Sequence, residues 1–219
     1  MGKIRKIILN FIRKRPILLI LSHLFKLRIG TIKNLESIHN QYKIKSNKNT
    51  SLLDLGCGQT PQNRFNANQI TGIDLVENSE NNVLRCNLGF EALPFDDNSF
   101  DYLTAYDFIE HIPRFSEVSK NGPPFIFFMN ECYRVLKKEG IFLSMTPIYP
   151  FLGAFQDPTH NNIITVETFK LYFSDQKFSI AHQYGIKANF KILNQKMFGE
   201  HLIACLLYTS DAADDVRGV

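Results

Sequence analysis

Between Ser51 and Ala204 short apolar blocks alternate with polar stretches rich in glycine and asparagine, and two longer amphipathic segments interrupt them. The blocks near 51–55, 70–74, 83–87, 100–106 and 140–146 have strand length and near-continuous apolarity, as strands buried on both faces do. Helical spacing near 124–138 and 165–174 supplies the main helices, and further helices are predicted near 3–14, 17–28 and 32–44. Alternation of this kind predicts an α/β fold whose mostly parallel sheet is covered by helices on both faces. Only residues 59–69 join the first two strands, room for about two helical turns. Residues 115–125, with Asn121-Gly122-Pro123-Pro124, are predicted to form a loop shaping a substrate entrance.

The chemistry gathers where strands end. The run Ser51-Leu-Leu-Asp54-Leu-Gly56-Cys57-Gly58 is a buried strand breaking into a tight turn at which backbone approaches a ligand. A second run, Ile70 to Ile73, delivers the carboxylate of Asp74, followed by Leu75. An acid at the tip of the second strand is placed to accept from both hydroxyls of a ribose, so the pair implies an adenosine-containing ligand. A dinucleotide fingerprint needs a third glycine, and Gln59-Thr60-Pro61-Gln62-Asn63 has none, which argues against a pyrophosphate cradle and a nicotinamide-dependent oxidoreductase.

At this point the chain resembles the class I S-adenosylmethionine-dependent methyltransferases. The first motif matches Asp54 to Gly58, and the ribose acid matches Asp74. Leu93-Pro94-Phe95-Asp96-Asp97-Asn98-Ser99-Phe100-Asp101 and Tyr102 to Asp107 look like the fourth strand and its approach. Ile109-Glu110-His111-Ile112 follows as in small-molecule members, and Glu131 to Leu143 matches the family's helix, glycine turn and fifth strand. The resemblance implies a Rossmann-like seven-stranded sheet closed by an antiparallel pair, here expected at Phe178–Phe190 and Gly199–Ala204. It implies S-adenosylmethionine as cofactor, held by Asp54, Gly56, Cys57 and Gly58 at the methionine portion, Asp74 and Leu75 at the ribose, Asn87 and Leu88 at the adenine, and Tyr106 and Asp107 beside the methyl donor.

The net charge of +4 conceals a division: residues 1–50 carry 12 Lys/Arg against one acid, and the remainder 13 against 20. Within residues 1–29 the apolar positions 4, 7, 8, 11 and 12 share one helical face and cations fill much of the rest, the pattern of a helix on an anionic membrane surface. The same helices would equally cap the core. The arm lacks the polar base-reading groups and aromatic platforms of a nucleic-acid binder, and its apolar run at 17–21 is too short to span a bilayer. Cysteines 57, 86, 132 and 205 show no paired or metal-ligand spacing, so no metal is expected, and the protein is expected to be cytoplasmic, with peripheral contact at the inner membrane face. The string Cys205 to Asp215 resembles a translated sequencing-library adapter. It implies an environmental source, a non-native tail over 205–219 and a truncated methyltransferase domain over 49–204 behind a basic extension over 1–48; the other reading is a native last strand and tail.

Methyl transfer from a sulfonium needs alignment and exclusion of water, and a base only where the acceptor is a hydroxyl or a weakly acidic carbon. His111, a turn from the site, is the first candidate base or else a locally packed residue; Asp157 and His160, on the loop after the fifth strand, are an oriented pair or else turn chemistry. Tyr149, Phe151 and Phe155 are an apolar wall for the acceptor or part of the core. The function implied is methyl transfer to a small molecule, of the kind of a sugar or lipid-linked cell-surface intermediate; the alternative is a nonenzymatic cofactor-binding or scaffold member of the same fold.

Overall fold

A computed structural model describes residues 35–42, 49–174 and 180–209. Helix α1 (Leu35–Gln41) precedes the sheet; strands β1 (Ser51–Leu55), β2 (Gln69–Asp74), β3 (Val83–Arg85) and β4 (Phe100–Tyr106) follow. Helix α2 (Pro124–Val135) leads directly into β5 (Leu136–Pro147), then come α3 (Gly153–Gln156), α4 (Val166–Tyr172), β6 (Phe190–Phe198) and β7 (His201–Tyr208). The strand order is β3-β2-β1-β4-β5-β7-β6. The first five strands run parallel, and β7 is antiparallel to both β5 and β6. The order reverses between β1 and β4, and the carboxyl ends of these strands open the crevice where α/β sheets bind ligands.

Leu52, Leu53 and Leu55 in β1 are all fully buried, which at about 1.5–3 kcal/mol per side chain fixes the strand in the middle of the sheet. Asp54 is carried under the surface with them. Along β4 the alternation sends Leu103 and Ala105 to one face, packed under Phe128, Met129, Cys132 and Val135 of α2, and Tyr102 to the other, where Ile38 and Phe65 lie. Pro124 opens α2 at a position where its missing amide costs nothing. The helix stops at Val135, short of the predicted 138, because Leu136 is drawn into register with Phe100 of β4.

The covering of the sheet departs from expectation on the Ile38 face. Residues 56–68 contain no helix, and among the described residues α1 and the irregular segment carrying Phe65 cover that face. Eleven linking residues with Pro61 early and four amides in the stretch Gln62 to Asn68 favour side-chain to backbone bonds over a helix, and Asn63 makes two of them with Ala67. Of the strand predicted at 178–190, the described residues 180–189 form none: Ile180–Tyr184 is a 3-10 turn, Gly185 reverses the chain at φ +79, and the strand begins at Phe190. β7 runs through Cys205 and Leu206, both fully buried, to Tyr208, so the first four residues of the adapter-like string complete the sheet. The helices predicted at 3–14 and 17–28, and residues 210–219, lie outside the described residues. No helix among the described residues is long and apolar enough to cross a membrane.

Candidate active site

The turn after β1 is built from both sides. Gly56 and Gly58 adopt φ +68 and +64, left-handed values that favour glycine, and Gly56 N and Cys57 N both donate to Ile73 O at 2.8 and 3.2 Å. A Cβ on Gly56 would stand 2.0 Å from Cδ2 of Phe108, whereas one on Gly58 would meet nothing within 4 Å. The first glycine thus makes room for a ring, and the second faces open space. Gly72 makes room in turn for Cys57, since a Cβ there would lie 2.5 Å from its sulfur. Burial and the neighbouring Asp54 and Asp74 charges push the Cys57 thiol up to about 12, so it stays protonated and inert near neutrality.

Asp54 sits beneath this turn, only 1% exposed. Its Oδ1 accepts from Thr104 Oγ1 at 2.7 Å and its Oδ2 from Gln62 N at 2.8 Å, so the carboxylate braces β4 and the 56–62 loop. Burial raises its pKa to about 6 against the lowering pull of those two donors and of Arg64. Tyr106, predicted beside the methyl donor, faces the same side: it hydrogen-bonds His39 Nε2 at 2.7 Å and carries the Arg64 guanidinium 5.1 Å above its ring. Burial pushes its phenol further above its ordinary value.

At the tip of β2, Asp74 Oδ2 accepts from Gly58 N at 2.8 Å and Oδ1 from Leu75 N at 2.7 Å. A carboxylate has about four acceptor directions, so capacity remains for two hydroxyls. Leu75 and Val76 beside it are about 60% exposed. Asn87 lies past the end of β3, in a turn where its amide donates to Glu91 Oε2 at 2.8 Å and Arg85 pairs with the same carboxylate at 2.9 Å. Asp74, Leu75, Asn87, Leu88, Phe108 and His111 line one cleft of about 150 Å³. Whole-ligand pockets span roughly 300–1,000 Å³, so this cleft is the size for one end of a nucleoside.

Beyond β4 a second group assembles. Asp107 is exposed, with φ +48, and its Oδ1 lies 3.0 Å from His201 Nε2, which raises the pKa of that imidazole. The 3-10 turn Ile109–His111 follows. The loop after β5 is fastened onto it: Asn161 N and Asn162 N both donate to Glu110 O at 2.9 Å, and Arg114 Nε donates to Asn162 Oδ1 at 2.6 Å. His160 is thereby brought edge-on to His111, with ring centroids 4.8 Å apart. Thr159 Oγ1 donates to Asp157 Oδ1 at 2.7 Å, and Thr159 N donates to the same oxygen at 2.8 Å, holding the Asp157 carboxyl below its ordinary value. With its one proton given to Asp157, the hydroxyl must accept from His111 Nδ1 at 3.0 Å. The neutral His111 imidazole therefore carries its proton on Nδ1 and presents a free lone pair at Nε2. Asp157 and His160, predicted as a pair, approach only to 3.9 Å; Asp157 orients His111 instead.

The predicted residues divide accordingly. Gly56, Cys57, Gly58, Asp74, Leu75, Asn87 and Leu88 gather around the crevice, and Asp157, His160 and His111 meet beside it. Asp54 and Tyr106 are turned toward the α1 face. Tyr149 and Phe155 are about half exposed and edge-to-face at 6.2 Å, a wall at the mouth, while Phe151 packs on the core. Phe115 and Val118, more than 70% exposed, stand on the predicted entrance loop. Thr159, Thr104, His39 and His201 were not legible: each acts across 48 to 94 residues of sequence, or relays a contact through a hydroxyl that no motif marks. The Asp157-x-Thr159 spacing of an Asx turn was the one available signal.

Residues 53–144, under half of the chain, match a family model described as a methyltransferase domain. No curated protein matches the chain in sequence. Solved structures share its fold at low identity. An S-adenosylmethionine-dependent methyltransferase from Archaeoglobus fulgidus is 15% identical over 85% of this chain and 99% of its own, with a TM-score of 0.51. One from Aquifex aeolicus is 16% identical over 80% and 89%, with a TM-score of 0.50. The [4+2]-cyclase SpnF is 17% identical over 93% and 92%, with a TM-score of 0.51.

Proposed function

We propose that this S-adenosylmethionine-dependent methyltransferase alkylates a small-molecule acceptor at an oxygen, the acceptor lying between the 111–125 and 149–162 loops with His111 as the base. The observation that carries this reading is the continuity of one cleft from Asp74 and Asn87 to His111, whose Nδ1 is engaged by the Asp157 and Thr159 chain so that Nε2 is the ring nitrogen left for the acceptor. S-adenosylmethionine supplies an electrophilic methyl group on a sulfonium whose departure leaves a neutral thioether. The turn residues suit such a ligand: Gly58 is open, Asp74 keeps acceptor capacity for a ribose diol, and Leu75 and Leu88 offer apolar contact to a purine. Asp54 acts from below, as the charge that fixes the turn and faces an ammonium through it. His111 Nε2 takes the acceptor's proton as the acceptor oxygen forms its bond to carbon, and Asp157, through Thr159, stabilises the imidazolium that results.

Tyr149, Phe155, Phe115 and Val118 frame the entrance with apolar surface, which suits an acceptor carrying an apolar portion, such as a lipid-linked sugar. The basic amphipathic segment over residues 1–29 fits the same substrate class by resting on an anionic membrane. The test is calorimetric titration of the full chain with S-adenosylhomocysteine, beside Asp74→Ala and His111→Ala. Binding by wild type, lost at least ~tenfold in Asp74→Ala and kept in His111→Ala, is expected; no binding by wild type would overturn the cofactor site. Liposome flotation with and without residues 1–29 tests the membrane contact, and equal flotation of both forms would remove it.

A further inference from the structure

Glu110, His111 and His160 each bring one metal-ligating atom to a common point, all within 4.8 Å of one another. The arrangement is held from outside, since the Asn161 and Asn162 amides clamp the 157–162 loop onto the Glu110 carbonyl and Thr159 fixes the His111 ring. Two of its polar atoms are unsatisfied. Glu110 is 1% exposed; Thr146 Oγ1 donates to its Oε2 at 2.8 Å, and its Oε1 is buried with no hydrogen-bond partner. The His160 side chain is 9% exposed, and its Nδ1 is likewise buried without a partner. Orphaned buried polar atoms cost about 1–3 kcal/mol each, so two in one three-residue cluster call for an occupant that satisfies both.

We propose that Glu110, His111 and His160 bind a divalent transition-metal cation, and that its open coordination position takes an oxygen of the methyl acceptor. Two imidazoles and one carboxylate are a donor set for Zn²⁺ and its first-row neighbours; Mg²⁺ and Ca²⁺ favour oxygen alone. The His111 tautomer that ligation requires is built in. Thr159 holds the His111 proton on Nδ1 and frees Nε2, which is the outer-shell bond that metal-bound histidines make. Three protein ligands leave at least one position open, and His111 also lines the cleft that begins at Asp74, so the open position faces the reaction space. The acceptor class that follows is a hydroxyl or carboxylate oxygen able to ligate the cation; a hydroxyl, made more acidic by that contact, loses its proton to water as its oxygen takes the methyl group, and a carboxylate has none to lose. This assignment rests on the acceptor-site reading above, and it replaces His111 as the free base by His111 as a ligand.

Full-length protein stripped with chelator is titrated with Zn²⁺ by calorimetry and with Co²⁺ by visible absorption, and Mg²⁺ serves as the comparison. One Zn²⁺ per chain is expected, with a tetrahedral or five-coordinate Co²⁺ spectrum and little response to Mg²⁺. His160→Ala and Glu110→Gln should weaken Zn²⁺ at least ~100-fold, and Thr159→Val ~10-fold through the freed His111 ring. S-adenosylhomocysteine titrated into the same samples reports folding and the donor site separately. If Glu110→Gln does not fold, His160→Ala and Thr159→Val carry the comparison. Absence of one-to-one Zn²⁺ binding by wild type that still binds S-adenosylhomocysteine would overturn the metal site and leave the methyltransferase reading standing, with water filling the cluster. Zn²⁺ binding unchanged in the folded variants would overturn it as well.

Discussion

Asp54→Asn should flatten part of the dependence of stability on pH. The folded protein holds the Asp54 proton with a pKa of about 6, against 3.8 for the unperturbed group, because burial disfavours the carboxylate more than Thr104 and Gln62 N favour it. A raised folded pKa means that the native state binds the proton more tightly than the unfolded chain does between those values. The stabilisation is fully present below about pH 4 and is lost as pH rises through 6. A shift of about two units is roughly 3 kcal/mol, of which some 2 kcal/mol falls between about pH 4 and pH 7.5. Asparagine cannot ionise, and it loses this component at the fixed cost of about 1 kcal/mol where its amide faces the Gln62 N–H. Urea denaturation of both proteins across that range should show wild type losing about 2 kcal/mol more than Asp54→Asn as pH rises. Parallel stability curves would refute the argument, whatever the absolute offset between them.

Other consequences are open to direct measurement. If the Asp54 charge acts on the ammonium of the ligand, S-adenosylhomocysteine affinity should fall below about pH 6 in wild type and stay level in Asp54→Asn by calorimetry; equal pH profiles would remove that role. Gly56→Ala combines a left-handed φ of +68, costing about 1–2 kcal/mol, with a Cβ only 2.0 Å from Cδ2 of Phe108. Its denaturation penalty should shrink in the Phe108→Ala background, and strict additivity would show that the ring is not the obstacle. Arg134 donates to Phe95 O, Leu93 O, Asp97 and Glu131 at 2.7–3.0 Å, so Arg134→Ala should cost about 2–3 kcal/mol, the lower end because the side chain is 29% exposed. An unchanged denaturation midpoint would count against that network.

The centre of the parallel half was legible because β1 and β4 are buried on both faces, where dense apolar residues such as Leu52, Leu53 and Leu55 leave little choice of conformation. The antiparallel closure was harder. β6 carries polar residues on a partly exposed surface, and the strand starts at Phe190 because Ala181 and Gly185 commit the preceding segment to a turn. Within the site, glycines and the acid of β2 announced themselves by position. For Asp54 and Tyr106 the motif locates a strand end and does not say which face a side chain takes. Period-two alternation decides that, and it places both with Leu52 and Tyr102, on the α1 side. The proximity of Glu110 and His111 to His160 depends on two amides bonding one carbonyl across about fifty residues, a contact without any sequence pattern.

The strand order divides this molecule into two cassettes. On the proposed reading the turns after β1, β2 and β3 carry Gly58, Asp74 and Asn87, whereas His111, His160 and His201 hang from β4, β5 and β7 on the opposite side of the β1 and β4 boundary. Substitution at Tyr149, Phe155 or His160 would then change the acceptor and leave the lining of the crevice at Asp74 and Asn87 intact. Phe108 and His111 line that crevice from the second cassette, and the Phe108 ring rests on Gly56 while its backbone begins the Glu110 and His111 turn, so diversification of either cassette is felt by the other there.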